Sequence, residues 1–150
     1  MHTFGAVYES SPQLAAAAYS RCPFATRADL IEAFDAAAEG LDDTAALTLL
    51  RAHPVLGATG PMAKASQDEQ ASAGLSDIES DRRERLRIDN ARYLESFGFP
   101  FIIAVRGLTV DDIDAALTRR LENTVETERA TAMAEVRKIA ALRIEQLVAP

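Results

Sequence analysis

Three polar features in the 150 residues stand where a fold alone does not require them. The first is His53 in "RAHPVLG", at the end of an apolar helical pattern and directly before Pro54. An imidazole titrates near neutrality and is the usual proton donor or acceptor there. It is also a common helix-terminal residue, favoured by the helix dipole, and position alone favours that reading. The second is "SQDEQ" at 66–70. Ser66 and Glu69 match a capping box, in which each side chain bonds a backbone amide. That reading leaves Gln70 unexplained, and the alternative is a Glu69 that orients a histidine beside a Gln70 that bonds an amide-bearing ligand. The third is Arg143. Met133, Val136, Ala140, Arg143 and Leu147 are spaced 3, 4, 3 and 4 apart, so they form one helical stripe with a guanidinium inside it. Such a charge requires an anion: an internal Asp or Glu, or a bound carboxylate held bidentately. The spacing leaves both open.

A fourth feature is the run "FGFPFIIAVRG" at 97–107. Phe97 and Phe99 read as core. Pro100 blocks regular helix, so the buried segment that follows must satisfy its backbone groups irregularly. Arg106 reads as a solvated surface residue.

The elements that must position these groups are helical. Ala, Leu, Glu and Arg dominate. Ser11-Pro12 opens "PQLAAAAY", Thr26 caps a helix that stops at Gly40, and Asp42 or Asp43 caps one that ends near His53. "SQDEQASAG" reads as a short helix closed by Gly74. Residues 76–97 read as a polar helix with a sparse stripe of Ile78, Leu86, Tyr93 and Phe97, on which Asn90 also lies. Thr109 and Asp111 start another, and the last runs over 124–148. "FIIAV" is too isolated to make a sheet. The class is all-α, with residues 1–150 as a single domain.

Composition limits the partners. The net charge of −7 argues against nucleic acid and against an anionic membrane surface. One cysteine, Cys22, permits no intrachain disulfide, and a buried structural role is expected of it. No Cys/His cluster suggests a metal. No signal peptide, membrane-spanning run or peroxisomal C-terminus is evident, so a cytoplasmic location is expected.

Taken in order, "ESSP" at 9–12, "HPVLG" at 53–57, "SQDEQASAGL" at 66–75, "NARYLESFGFPFIIAV" at 90–105, "RRLEN" at 119–123 and "EVRKIAALRIEQLV" at 135–148 resemble the OHCU decarboxylase family over nearly the whole chain. These enzymes decarboxylate 2-oxo-4-hydroxy-4-carboxy-5-ureidoimidazoline (OHCU) in the last step from urate to (S)-allantoin. The resemblance implies a helical bundle, commonly a homodimer, that needs no cofactor or metal. It implies that His53 is catalytic and that Ser66, Glu69 and Gln70 line the substrate site, with Pro54 flanking the substrate. It further implies that Phe101, Ile102, Ile103, Ala104 and Val105 contact substrate partly through backbone, and that Arg143 grips the ligand. On this basis Glu69 is expected to pair with His53 and act with it in catalysis. The sequence departs from the family at Gln13, often tryptophan, at Val55, often charged, and in a short connector at 58–65. Two rivals are a non-catalytic helical interaction module and a related decarboxylase of another ureido or hydantoin acid.

Overall fold

The computed structural model describes residues 2–57 and 64–150. Among them are seven α-helices: α1 (Pro12–Tyr19), α2 (Arg27–Glu39), α3 (Asp43–Arg51), α4 (Lys64–Ser72), α5 (Ser80–Phe97), α6 (Val110–Arg120) and α7 (Val125–Leu147). Short 3-10 turns occupy His2–Phe4 and Leu75–Asp77, and no strand occurs among the described residues. The all-α expectation holds. Most of the 58–65 connector lies outside the described residues.

Local chemistry sets most helix starts. Thr26 and Asp29 form a reciprocal capping box for α2, and Thr109 and Asp112 form one for α6. Asp42 accepts from the Ala45 amide, and Thr124 from the Thr127 amide. Two expected starts differ. Ser11 precedes α1, but its hydroxyl donates to the Glu9 carbonyl at 3.0 Å instead of capping. Ser66 and Glu69 are not a capping box, because α4 begins at Lys64 and both already lie within it. The helix expected from residue 76 begins at Ser80, and Ile78 is extended.

Helix α7 is the hub and packs against α2, α3 and α5, while α1 packs on α2 and α6 on α5. Its buried face carries Ala132, Val136, Ile139, Ala140 and Ile144. The core beside it includes Leu50, Leu75, Tyr93, Phe99, Phe101, Ile113 and Leu117. Each such large apolar side chain contributes about 1.5–3 kcal/mol when withdrawn from water. The Phe97 and Phe99 expectation holds, and their rings cluster with Tyr93 and Phe101.

Gly98 ends α5 in the left-handed region, at φ 78°, which only glycine adopts freely. The chain then turns at Pro100 and runs irregularly through Phe101–Val105, buried except at Ile103. Its carbonyl at Ile102 accepts from Arg120 Nη1 at 2.6 Å, and its amide at Ala104 donates to Glu135 Oε2 at 3.0 Å. Arg106 emerges exposed, bonded to the Leu142 carbonyl and beside Glu145. Cys22 is exposed, contrary to the buried role expected of it. Nothing in the local sequence, a turn before Pro23, drew it inward. No described helix is long and apolar enough to cross a membrane.

Candidate functional site

His53 sits two residues past the last residue of α3, Arg51, with its backbone amide bonded to the Leu50 carbonyl. Pro54 forbids continuation, and the ring folds back so that Nδ1 lies 3.0 Å from the Leu49 carbonyl. A carbonyl only accepts, so Nδ1 carries hydrogen and Nε2 of the neutral ring is an acceptor. The chain beyond Pro54 is pinned twice. Asn90 Nδ2 on α5 donates to the Leu56 carbonyl at 3.1 Å, and the Gly57 amide donates to Gln70 Oε1 at 2.9 Å.

Arg143 is 4% exposed, and every N–H it has is engaged by protein acceptors. Nε and Nη2 meet the two Glu69 oxygens at 2.8 and 3.0 Å, a bidentate pair. Nη2 also donates to Ser66 Oγ at 2.9 Å. Nη1 has longer contacts, 3.3 Å each, to Glu9 Oε2 and to the Ala6 and Val7 carbonyls. Ser66 Oγ donates to Glu9 Oε2 at 2.8 Å. Arg143 thus has internal carboxylates, Glu69 and Glu9, as its partners.

This array alters one expectation. Glu69 does not hydrogen-bond His53; its carboxylate is committed to Arg143, and the imidazole is oriented by Leu49 and Pro54. Glu69 reaches His53 only through its charge. Burial lowers the His53 pKa below its ordinary 6.5, against the upward pull of the Leu49 carbonyl and Glu9; Arg143 lowers it further and Glu69 raises it. For Arg143, burial acts downward but the bonds and charges of Glu69 and Glu9 outweigh it, so the pKa rises.

One cavity joins these groups. It is lined by His53, Pro54, Leu56, Ser66, Glu69, Gln70, Phe101, Ile102, Ile103, Val105, Ile139 and Arg143. The structure thus brings together all the residues singled out from sequence except Ala104, whose amide turns to Glu135. The cavity holds about 30 Å³, the share of one water molecule. Within this segment the Ile102 carbonyl, the Ala104 amide and the Val105 carbonyl are engaged by Arg120, Glu135 and the Leu108 amide. Val55 faces a different cavity, beside Arg83 and Arg87, and Gln13 is exposed.

Sequence reasoning missed Glu9, which is 4% exposed. It stands in "ESSP", but nothing local to that run marks its carboxylate, whose partners are distant in sequence. Sequence reasoning also missed the buried support beneath Phe101 and Ile102. There Glu128 accepts from Tyr93 Oη, from Arg120 Nε at 2.9 Å and from Asn123 Nδ2 at 2.8 Å. Arg120 lies 4.6 Å from the centroid of the Phe101 ring. No group of three or more His, Cys, Asp or Glu among the described residues is placed to hold a metal.

Comparison with known proteins gives a consistent result. Residues 1–145 match the family model described as OHCU decarboxylase. The 2-oxo-4-hydroxy-4-carboxy-5-ureidoimidazoline decarboxylase of Haloferax volcanii is 42% identical over 143 residues, covering 95% of this chain and 85% of that protein. A crystal structure of OHCU decarboxylase in the presence of (S)-allantoin superposes with a TM-score of 0.81 at 27% identity, over 97% of this chain and 96% of that one. A crystal structure of (S)-allantoin synthase gives 0.77 at 28% identity, over 98% of this chain and 49% of that one.

Proposed function

The chain belongs to the OHCU decarboxylase family, a carboxy-lyase of urate degradation, and from that premise we propose how its residues remove CO2 from OHCU to give (S)-allantoin. The observation that carries the reading is convergence: His53, Ser66, Glu69, Gln70, Arg143 and Phe101, Ile102, Ile103 and Val105 line one cavity from four separate parts of the chain.

The substrate carries a carboxylate on a hydroxyl-bearing ring carbon, with a ureido group next to it. The bond to the carboxylate carbon breaks, CO2 leaves, and the electron pair stays with the ring until a proton forms the new C–H bond on one face. The site therefore needs positive charge for the acid group, contacts that fix the ring, and one directed acid. Arg143 supplies the charge, and its long Nη1 contacts are the ones an incoming carboxylate exchanges. Gln70, Ser66 and the Ile103 peptide groups fix the ureido-imidazoline edge, with Phe101, Ile102, Ala104 and Val105 shaping its bed and Pro54 flanking it. Glu69 acts in catalysis by holding Arg143 in register. His53 delivers the proton from Nε2. Positioned acid catalysis is worth about 10²–10⁴-fold, so electrostatics and orientation supply the rest. No step in this scheme calls on a cofactor. The chain acts as one domain over 1–150, as a cytoplasmic homodimer with a small-molecule substrate and no nucleic-acid or membrane partner.

The test is to supply fresh OHCU and follow the circular dichroism of the product. Turnover by the chain gives a single enantiomer of allantoin, and His53→Ala keeps the helical spectrum but loses most of the rate. A racemate forming at the spontaneous rate would sink the reading in favour of a non-catalytic helical module, and turnover only of another ureido or hydantoin acid would redirect it. Light scattering at twice the mass of the chain supports the dimer, and a single-chain mass removes it.

A further inference from the structure

We propose that Glu9 is a positioning residue of this site, holding Arg143 and Ser66 and supplying the negative charge that lets His53 take up its proton as the anionic substrate binds. The inference rests on the reaction proposed above, but its geometry is separate. Glu9 is buried, its Oε2 accepts from Ser66 Oγ at 2.8 Å and from Arg143 Nη1 at 3.3 Å. Its own carbonyl is held by the Ser11 hydroxyl at 3.0 Å. Ser10 between them has φ 50°, a conformation a non-glycine residue adopts only where its surroundings impose it. Three contacts and one strained residue thus fix a carboxylate in a place that helix α1 does not need it.

The charges explain what it does there. His53 shares its cavity with Glu69 from α4 and Arg143 from α7, and its Nδ1 meets the Leu49 carbonyl from α3; Glu9, from the segment before α1, lies behind them on Arg143 and Ser66 and acts on the ring through its charge. Arg143 is one cation and the two glutamates are two anions, so with a neutral imidazole the cluster carries one negative charge in excess. The neutral ring cannot donate from Nε2, because its hydrogen is on Nδ1 against Leu49. The reaction consumes one proton: the carboxylate leaves as CO2 and the ring carbon gains hydrogen. When the substrate's carboxylate exchanges the Nη1 contact, Glu9 keeps Ser66 but loses its share of the arginine. Its charge is then balanced by a proton on His53, the one delivered to the ring. Anion and proton enter together, and a second carboxylate is what couples them.

The chain's only other histidine is His2, so the imidazole signals are two, and His53→Gln assigns them. Proton NMR titration of the unliganded protein reads His53 directly. Glu9→Gln shifts its midpoint downward and moves the high-pH limb of kcat/KM the same way, whereas Glu9→Asp keeps the charge and holds both near their original positions. A purely structural role lowers the rate without moving either, and an unmoved midpoint in Glu9→Gln overturns the proposal. Should Glu9→Gln not fold, the unaltered chain decides. In weakly buffered solution containing a pH indicator, one proton per site disappears in the phase that binds OHCU, before allantoin forms. Uptake that only follows allantoin formation overturns the proposal. The NMR result needs no turnover, so a shifted midpoint with no decarboxylation refutes the reaction and leaves the Glu9–His53 coupling standing.

Discussion

His53 is 8% exposed, and burial makes its charged form costly in the folded chain even though the Leu49 carbonyl at Nδ1 favours that form. Its folded pKa lies below 6.5, its value in an unfolded chain. The consequence for stability has a definite sign. As pH falls through about 6.5, the unfolded chain binds a proton that the folded chain does not, so stability drops. The loss continues until the folded imidazole also titrates, and then levels. Buried carboxylates add their own acid sensitivity, so the measurement must be a difference. Urea unfolding of the wild type and of His53→Gln, compared from pH 7.5 down to pH 5, isolates the imidazole. The wild type loses relative stability on the acid side, and a constant difference across that range counts against a depressed pKa. At Arg143 the same reasoning concerns pairing. Arg143→Lys keeps the charge but loses the bidentate fit to Glu69, so KM for OHCU rises and kcat falls. Equal kinetics for the lysine variant would show that only the charge matters.

At the scale of elements, the irregular segment after α5 depends on one glycine. Gly98 donates to the Leu94 carbonyl at 2.8 Å, and its carbonyl accepts from Arg51 Nε at 2.9 Å, at φ 78°. A Cβ there would meet only Arg51 Nη2, at an ordinary 3.7 Å. The cost of Gly98→Ala is therefore backbone strain, about 1–2 kcal/mol, read as a lower denaturant midpoint. Because Phe101–Val105 floors the cavity, KM should rise with it; an unchanged midpoint would mean the chain relaxes there freely. Elements of this kind divide what a sequence reveals. The caps at Thr26, Asp42 and Thr109 are legible because each bonding partner is three residues away. The Ser66–Glu69 spacing imitates such a cap, yet α4 starts two residues earlier and frees both side chains for Arg143. The stripe on α7 revealed that Arg143 needed an anion, and His53, Ser66, Glu69 and Gln70 were each visible as oddities. Glu9 was not, because its partners Ser66 and Arg143 lie 57 and 134 residues along the chain. No periodicity or cap links positions so far apart, and only packing brings them together.

At the scale of the molecule, the site is held up from behind by a second buried ion pair that does not line its cavity. Glu128 opens α7 with no exposure at all, Arg120 closes α6, Tyr93 comes from α5, and Arg120 Nη1 ends on the Ile102 carbonyl behind the cavity. Three helices and the floor of the site therefore share one network. Taking one partner away leaves a buried charge without its counterion, which costs about 3–5 kcal/mol, a large part of the 5–15 kcal/mol typical of a domain. Arg120→Met thus brings the fold close to its limit, and Glu128→Leu does the same by leaving the guanidinium. Combining them removes both charges, and an apolar pair of similar volume is often neutral or better. The double variant should recover much of the stability lost by either single variant in urea unfolding. It does not recover catalysis, because the Ile102 carbonyl still lacks its donor and the 101–105 backbone loses its register. Stability restored together with full kcat/KM would show that this network only holds helices together; stability restored with KM still raised assigns it the support of the site.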